Sequence, residues 1–102
     1  ARISWHNSNE CFTTAAFIRA NCEYPGAWAG EIQRVAGTEE APITVVHVYT
    51  QDRTCSFHVT SFFQISQGKI VTLDEYWGDD APPPQWRKDL GLSTPIQTGQ
   101  TG

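Results

Sequence analysis

The chain has 102 residues, 39% of them hydrophobic and 18% charged, and a net charge of −4. That is the size and balance of one globular domain, which excludes a disordered chain. Seven Lys and Arg scattered among eleven acids exclude the basic face of a nucleic-acid binder, and no apolar run approaches the roughly 20 residues of a membrane span.

Ala1 to Trp5 is a short apolar opening, and His6-Asn7-Ser8-Asn9 reads as a turn. The chain begins without Met and already reads as mid-domain, so further segments upstream are expected. Thr13 or Thr14 is the expected N-cap of a helix over 15–22, with Phe12 stapling its start. Tyr24-Pro25-Gly26 should stop that helix. From Gly30 the apolar period changes to two. Strands are predicted over 31–35, 43–50, 55–65 and 69–77, the last three forming an antiparallel meander. After Trp77, Pro82-Pro83-Pro84 is a stiff extended piece. Trp86 is expected to dock back on the body, with Arg87 paired to Asp79 or Asp80. Residues 1–97 form one domain, and 98–102 should be a frayed tail.

An even-length loop across Asp52-Arg53 sets His47 opposite His58 and Val45 opposite Thr60. One face then carries Val45, His47, Tyr49, Ser56, His58, Thr60 and Phe62. The other carries Val46, Val48, Phe57, Val59, Ser61 and Phe63, and is the more apolar and hence the inner face. Gly68 suggests a three-residue turn with a Gly-type bulge. That register places Val71, Leu73, Glu75 and Trp77 inward, so Glu75 becomes a carboxylate on an apolar face.

Ser56-Phe57-His58-Val59-Thr60-Ser61-Phe62-Phe63, then Gly68-Lys69-Ile70 and Glu75-Tyr76-Trp77-Gly78-Asp79-Asp80, resemble the nuclear-transport-factor-2-like superfamily in its SnoaL-like bacterial branch. Asn21-Cys22-Glu23-Tyr24-Pro25-Gly26-Ala27-Trp28 and Pro84-Gln85-Trp86-Arg87 resemble the same branch. The resemblance covers roughly residues 5 to 96. It implies an α+β fold: a curved antiparallel sheet wrapped on helices, forming a cone with a pocket. Members usually begin with helices that close the pocket, and this chain starts after them. The resemblance also implies a homodimer packed through the outer sheet face. Known activities include ketosteroid isomerisation, polyketide cyclisation, dehydration and epoxide hydrolysis, and many members only bind ligands.

Glu75 is the first catalytic candidate. Among Phe57, Val59, Phe63 and Trp77 it would be partly desolvated, which disfavours its charged form and suits acid–base work. The competing reading is a structural Glu satisfied by a backbone N–H or a Trp indole. By the resemblance, Ser61 stands where an isomerase-like member places an acidic oxyanion donor, and a hydroxyl is a weaker donor. His58 is the alternative base if the facing is reversed. Opposed His47 and His58 could begin a metal site, but no third ligand appears at diagnostic spacing, so no metal is expected. Trp28, Phe57, Val59, Ser61, Phe63 and Trp77 are the expected pocket wall, with Trp5 and Phe17 as further rings. The ligand expected there is a small apolar molecule, handled without a cofactor. Cys11, Cys22 and Cys55 are odd in number and lack C-x-x-C spacing, which points to reduced thiols in a cytoplasmic protein.

Overall fold

A computed structural model describes residues 1–23 and 26–96. The expected helix stop at Tyr24-Pro25 and the expected tail over 98–102 lie outside the described residues.

Six strands form one curved, unclosed sheet in the order β2-β1-β6-β5-β4-β3. They are β1 (Arg2–Trp5), β2 (Glu10–Phe12), β3 (Trp28–Gly37), β4 (Pro42–Thr50), β5 (Ser56–Ser66) and β6 (Lys69–Asp79). Two helices complete the chain, α1 (Thr14–Cys22) and α2 (Gln85–Leu90). All neighbours are antiparallel except β1 and β6.

Helix α1 starts where its side chains permit. The Thr13 hydroxyl accepts from the Ala16 N–H at 3.2 Å, a standard N-cap bond. Phe12, just before the cap, sets its ring 6.3 Å from Phe17 in the second turn, the expected staple.

The β4–β5 ladder has the anticipated register, with His47 opposite His58 and Val45 opposite Thr60. The β5–β6 hairpin reaches the anticipated parity by another route. Its loop is Gln67-Gly68, with Ser66 paired to Lys69 and both loop residues at positive φ, 53° and 72°. That is a two-residue turn of the primed kind, whose twist matches the strands. The extra residue sits two pairs further in, because Gln64 pairs with Thr72 while Ile65 pairs with Ile70. Val71 is therefore the bulge residue, and it is 46% exposed instead of lying on the inner face. A three-residue loop and a two-residue loop plus one bulge shift the register equally, so Ser61 still faces Glu75 and Val59 still faces Trp77.

Strand β3 runs longer than 31–35, and a bulge between Ile32 and Arg34 keeps it paired with β4. It ends at Gly37, where φ is +86° and a Cβ would lie 2.3 Å from the Ala41 carbonyl oxygen. Gly37→Ala is expected to cost about 2 kcal/mol, read as a lower urea midpoint with unchanged slope.

The opening residues, read as a bare apolar stretch, form strand β1. It lies parallel to β6, with Ile3 beside Leu73 and Trp5 beside Glu75. This sets the small core: among the described residues, Ile3, Val59 and Leu73 are the buried apolar side chains, and Ser61 and Glu75 the buried polar ones. Among the described strands, α1 comes closest to β1 and β2. Trp86 does not dock on the body. It is 59% exposed, and no Cα of α2 lies within 8 Å of another strand or helix. Arg87 pairs with neither Asp79 nor Asp80 among the described residues; its guanidinium lies 5.5 Å from the Trp86 ring centre.

Candidate functional site

Cross-strand partners project to one side of a sheet, so the register fixes which side chains share the concave face. β5 contributes Phe57, Val59, Ser61 and Phe63, β6 contributes Leu73, Glu75 and Trp77, and β1 contributes Ile3 and Trp5. β4 adds Val46 and Val48, and β3 adds Trp28 through its pairing with Thr50.

Glu75 is 9% exposed at the centre of this face. One carboxylate oxygen accepts from the Trp5 indole N–H at 2.9 Å, and the other accepts from the Ser61 hydroxyl at 2.6 Å. Both donors approach from strands flanking β6, so the carboxylate ties β1, β6 and β5 together through side chains. A polar side chain is tolerated at this depth because both of its oxygens are hydrogen-bonded. The backbone of the same residue adds a bond, its carbonyl accepting from the His6 N–H at 3.0 Å.

Beyond Trp5 the face opens into aromatic hollows. One, of about 120 Å³, is walled by Trp5, Asn21, Trp28, Val48, Phe57 and Trp77. A second, of about 340 Å³, shares Trp5, Phe57 and Trp77 and reaches Asn7 and Asp79 at the rim. The rings brace one another. Trp28 and Phe57 lie 5.2 Å apart, Phe57 and Trp77 4.7 Å, and Trp5 and Trp77 5.7 Å. Phe17 supports Trp5 from behind at 6.1 Å. Glu75 is not in the wall of either hollow; Trp5 belongs to both and to the Glu75 cluster. Of the expected wall residues, Trp28, Phe57 and Trp77 line these hollows, whereas Val59, Ser61 and Phe63 lie further along the face. The Trp77 indole nitrogen is buried with no hydrogen-bond partner among the described residues.

Asn7 stands out in the sequence only as part of a turn. Its side-chain amide donates to the Trp77 carbonyl and accepts from the Trp77 N–H, both at 2.6 Å. A side chain thus completes the ladder of β6 past the end of β1 and holds the turn over 6–9 at the rim. Only the frequency of Asn in turns pointed that way.

The histidines occupy the convex face. The His47 and His58 rings stack at 4.8 Å, and both lean on Asp80. His58 Nδ1 lies 2.5 Å from one Asp80 oxygen, and the other accepts from Ser56 Oγ at 2.5 Å. His47 Nε2 lies 2.7 Å from the same Ser56 Oγ. The pair shares an acid instead of bonding to each other. No three of the described His, Cys, Asp and Glu side chains are grouped to hold a metal.

Partial burial opposes the charge on Asp80, but hydrogen bonds from Ser56 and His58 and the two nearby imidazoles outweigh it, so its carboxyl titrates below the usual carboxylate range. A folded-state pKa below the unfolded value gives stability that is complete above the ordinary carboxylate pKa of about 3.9 and is lost as pH falls through the folded value. Asp80→Asn should therefore flatten the acid limb of the stability curve below about pH 4, checked by urea midpoints across that range.

No protein-family model matches the sequence, and no curated protein sequence does. Solved structures do match. A protein from Kribbella flavida, provisionally assigned as a ketosteroid isomerase, superposes with a TM-score of 0.76 at 21% identity, over 97% of this chain and 71% of that one. The chain has the nuclear-transport-factor-2-like fold. A nuclear-transport-factor-2-like protein of unknown function from Burkholderia xenovorans superposes with a TM-score of 0.69 at 20% identity, over 95% of this chain and 74% of that one. No described helix is long and apolar enough to cross a membrane.

Proposed function

We propose that this chain binds a small, flat, apolar molecule in the aromatic hollow of the concave face, with Glu75 acting as the buried anchor that holds Trp5 in the wall. The observation that carries this reading is the grouping of Trp5, Trp28, Phe57 and Trp77 around open space, with Trp5 bonded to a carboxylate whose two oxygens are both engaged. Large rings with few polar atoms suit a planar apolar ligand. An acceptor on the ligand, such as a ketone oxygen, would give the buried Trp77 N–H a partner and recover the roughly 1–3 kcal/mol that an unmet donor costs.

The second reading is acid–base isomerisation, cyclisation or dehydration through Glu75. It is favoured by the burial of that carboxylate on the ligand side of the sheet and by the likeness to a protein assigned as a ketosteroid isomerase. The proposal also takes in the SnoaL-like branch, a cytoplasmic setting supported by the free thiols of Cys11 and Cys55, and a homodimer through the convex face, where Phe62 and Tyr76 are exposed.

Progesterone and a β,γ-unsaturated ketosteroid separate the readings. Binding of progesterone should quench tryptophan fluorescence, and Trp77→Ala should weaken it at least tenfold. If Glu75 is only an anchor, no conjugated enone accumulates from the unsaturated ketone. If it is a base, enone absorbance rises and Glu75→Gln abolishes the rise while progesterone still binds. Absence of quenching by either ketone counts against both.

A further inference from the structure

The chain exposes 7886 Å², whereas a folded monomer of 11.4 kDa exposes about 5,800 Å². Its radius of gyration is 16.4 Å, against about 13 Å for a compact chain of this length. Part of that excess is the arm after β6. Helix α2 has six residues, its N-cap is Pro84 with no side-chain bond, and none of its residues is buried. A helix this short does not hold in water on its own, and no strand or helix of its own copy reaches it. Trp86 and Leu90, four residues apart and so on one helix face, are 59% and 64% exposed. Arg87 and Lys88 lie between them in sequence.

The convex face of the sheet offers what the arm lacks. Phe62 and Tyr76 stand edge to face at 5.9 Å and are both exposed. Asp74 is the cross-strand partner of Phe62 and lies two residues from Tyr76, so its carboxylate borders the same patch; His6 of the same copy lies 2.8 Å from one Asp74 oxygen and stacks on one side of the Tyr76 ring at 4.4 Å, leaving both residues partly exposed. An apolar pair with an acidic border is complementary to Trp86 and Leu90 with their basic neighbours.

We propose that the arm docks in trans: in a dimer of this chain, α2 of each copy lies on the convex sheet face of the other, with Trp86 and Leu90 on Phe62 and Tyr76 and the Arg87–Lys88 pair facing Asp74. This rests on the convex-face dimer proposed above and adds the element that seals it. One two-fold axis satisfies both exchanges. Residues 80–84, extended through Pro82-Pro83-Pro84, reach about 15 Å at roughly 3.1 Å per residue, which carries α2 clear of its own sheet. A Trp flanked by Arg is the anchor chemistry of interface hot spots.

Sedimentation equilibrium on the whole chain tests the proposal. Wild type should sediment at twice 11.4 kDa. Trp86→Ala with Leu90→Ala should weaken the dimer at least thirtyfold, with the circular dichroism of the sheet unchanged. Arg87→Glu with Lys88→Glu should weaken it about tenfold, and mixing that variant with Asp74→Arg chains should restore a heterodimer. A dimer that the arm variants leave intact overturns the docking while sparing the convex-face dimer. A wild-type monomer overturns both.

Discussion

Glu75→Ala is expected to lower the unfolding free energy by about 3 kcal/mol, the largest polar effect available in this chain. The substitution removes a buried acceptor for two donors from different strands, Trp5 Nε1 and Ser61 Oγ. The Ser61 hydroxyl can rotate toward another acceptor, whereas the Trp5 N–H is fixed by its ring and is left unmet. Bonds to charged groups contribute roughly 1.5–3 kcal/mol each, and an unmet buried donor costs about 1–3 kcal/mol, so the sum is capped by partial solvation of the opened site. Glu75→Gln keeps the shape and one acceptor oxygen, and its amide can donate to Ser61, so about 1 kcal/mol is expected. Glu75→Met, which keeps the volume and removes both acceptors, checks in urea midpoints that hydrogen bonding and not volume carries the effect: it should lose nearly as much as Ala. A Met loss as small as that of Gln would show that only packing matters at this position.

Leu73→Ala is expected to cost about 2–4 kcal/mol, the range for removing a buried leucine. Leu73 is flanked by Ile3 on β1 and Phe63 on β5, and it is one of only three buried apolar side chains among the described residues. A core this small leaves little redundancy against a total stability of about 5–15 kcal/mol. At roughly 4–8 °C per kcal/mol for a chain of this size, the melting temperature should fall by about 10–25 °C. Val71→Ala, on the bulge two residues away, should change it by only a few degrees, because that side chain is already half-exposed. A large effect at Val71 would mean that the bulge, and so the register of β6, is misplaced.

The meander was legible because its signals are local. Ile43 to Thr50 and Cys55 to Ile65 are rich in β-branched and aromatic residues, and an even loop between them leaves one register that keeps a face apolar. Glu75 could be placed on the concave side for the same reason: any one-residue slip would have put Asp74 and Tyr76 there. The detail of the turn was not legible, since Gln67-Gly68 with a distant bulge and a longer loop give the same parity. Strand β1 was not legible at all. Its parallel pairing with β6 spans 70 residues, and four residues with one buried side chain carry no usable period. With β1 unread, the partner of Glu75 was foreseen only as a backbone N–H or a Trp indole, and not as Trp5. Trp86 misled because an aromatic after a proline run resembles an anchor, and sequence alone does not say whether the surface it anchors to belongs to the same copy.

The most direct test of the anchored aromatic wall is the tryptophan indole region of a nitrogen-15 correlation spectrum, recorded during a progesterone titration. The chain has four Trp, and Trp86, far out on the arm, serves as an internal reference. The hydrogen bond to Glu75 predicts a Trp5 N–H that is shifted downfield and exchanges slowly with water, and progesterone should move the Trp5, Trp28 and Trp77 signals while leaving Trp86 in place. A Trp5 N–H that exchanges as fast as a free indole, with no indole responding to the ketone, would contradict the account.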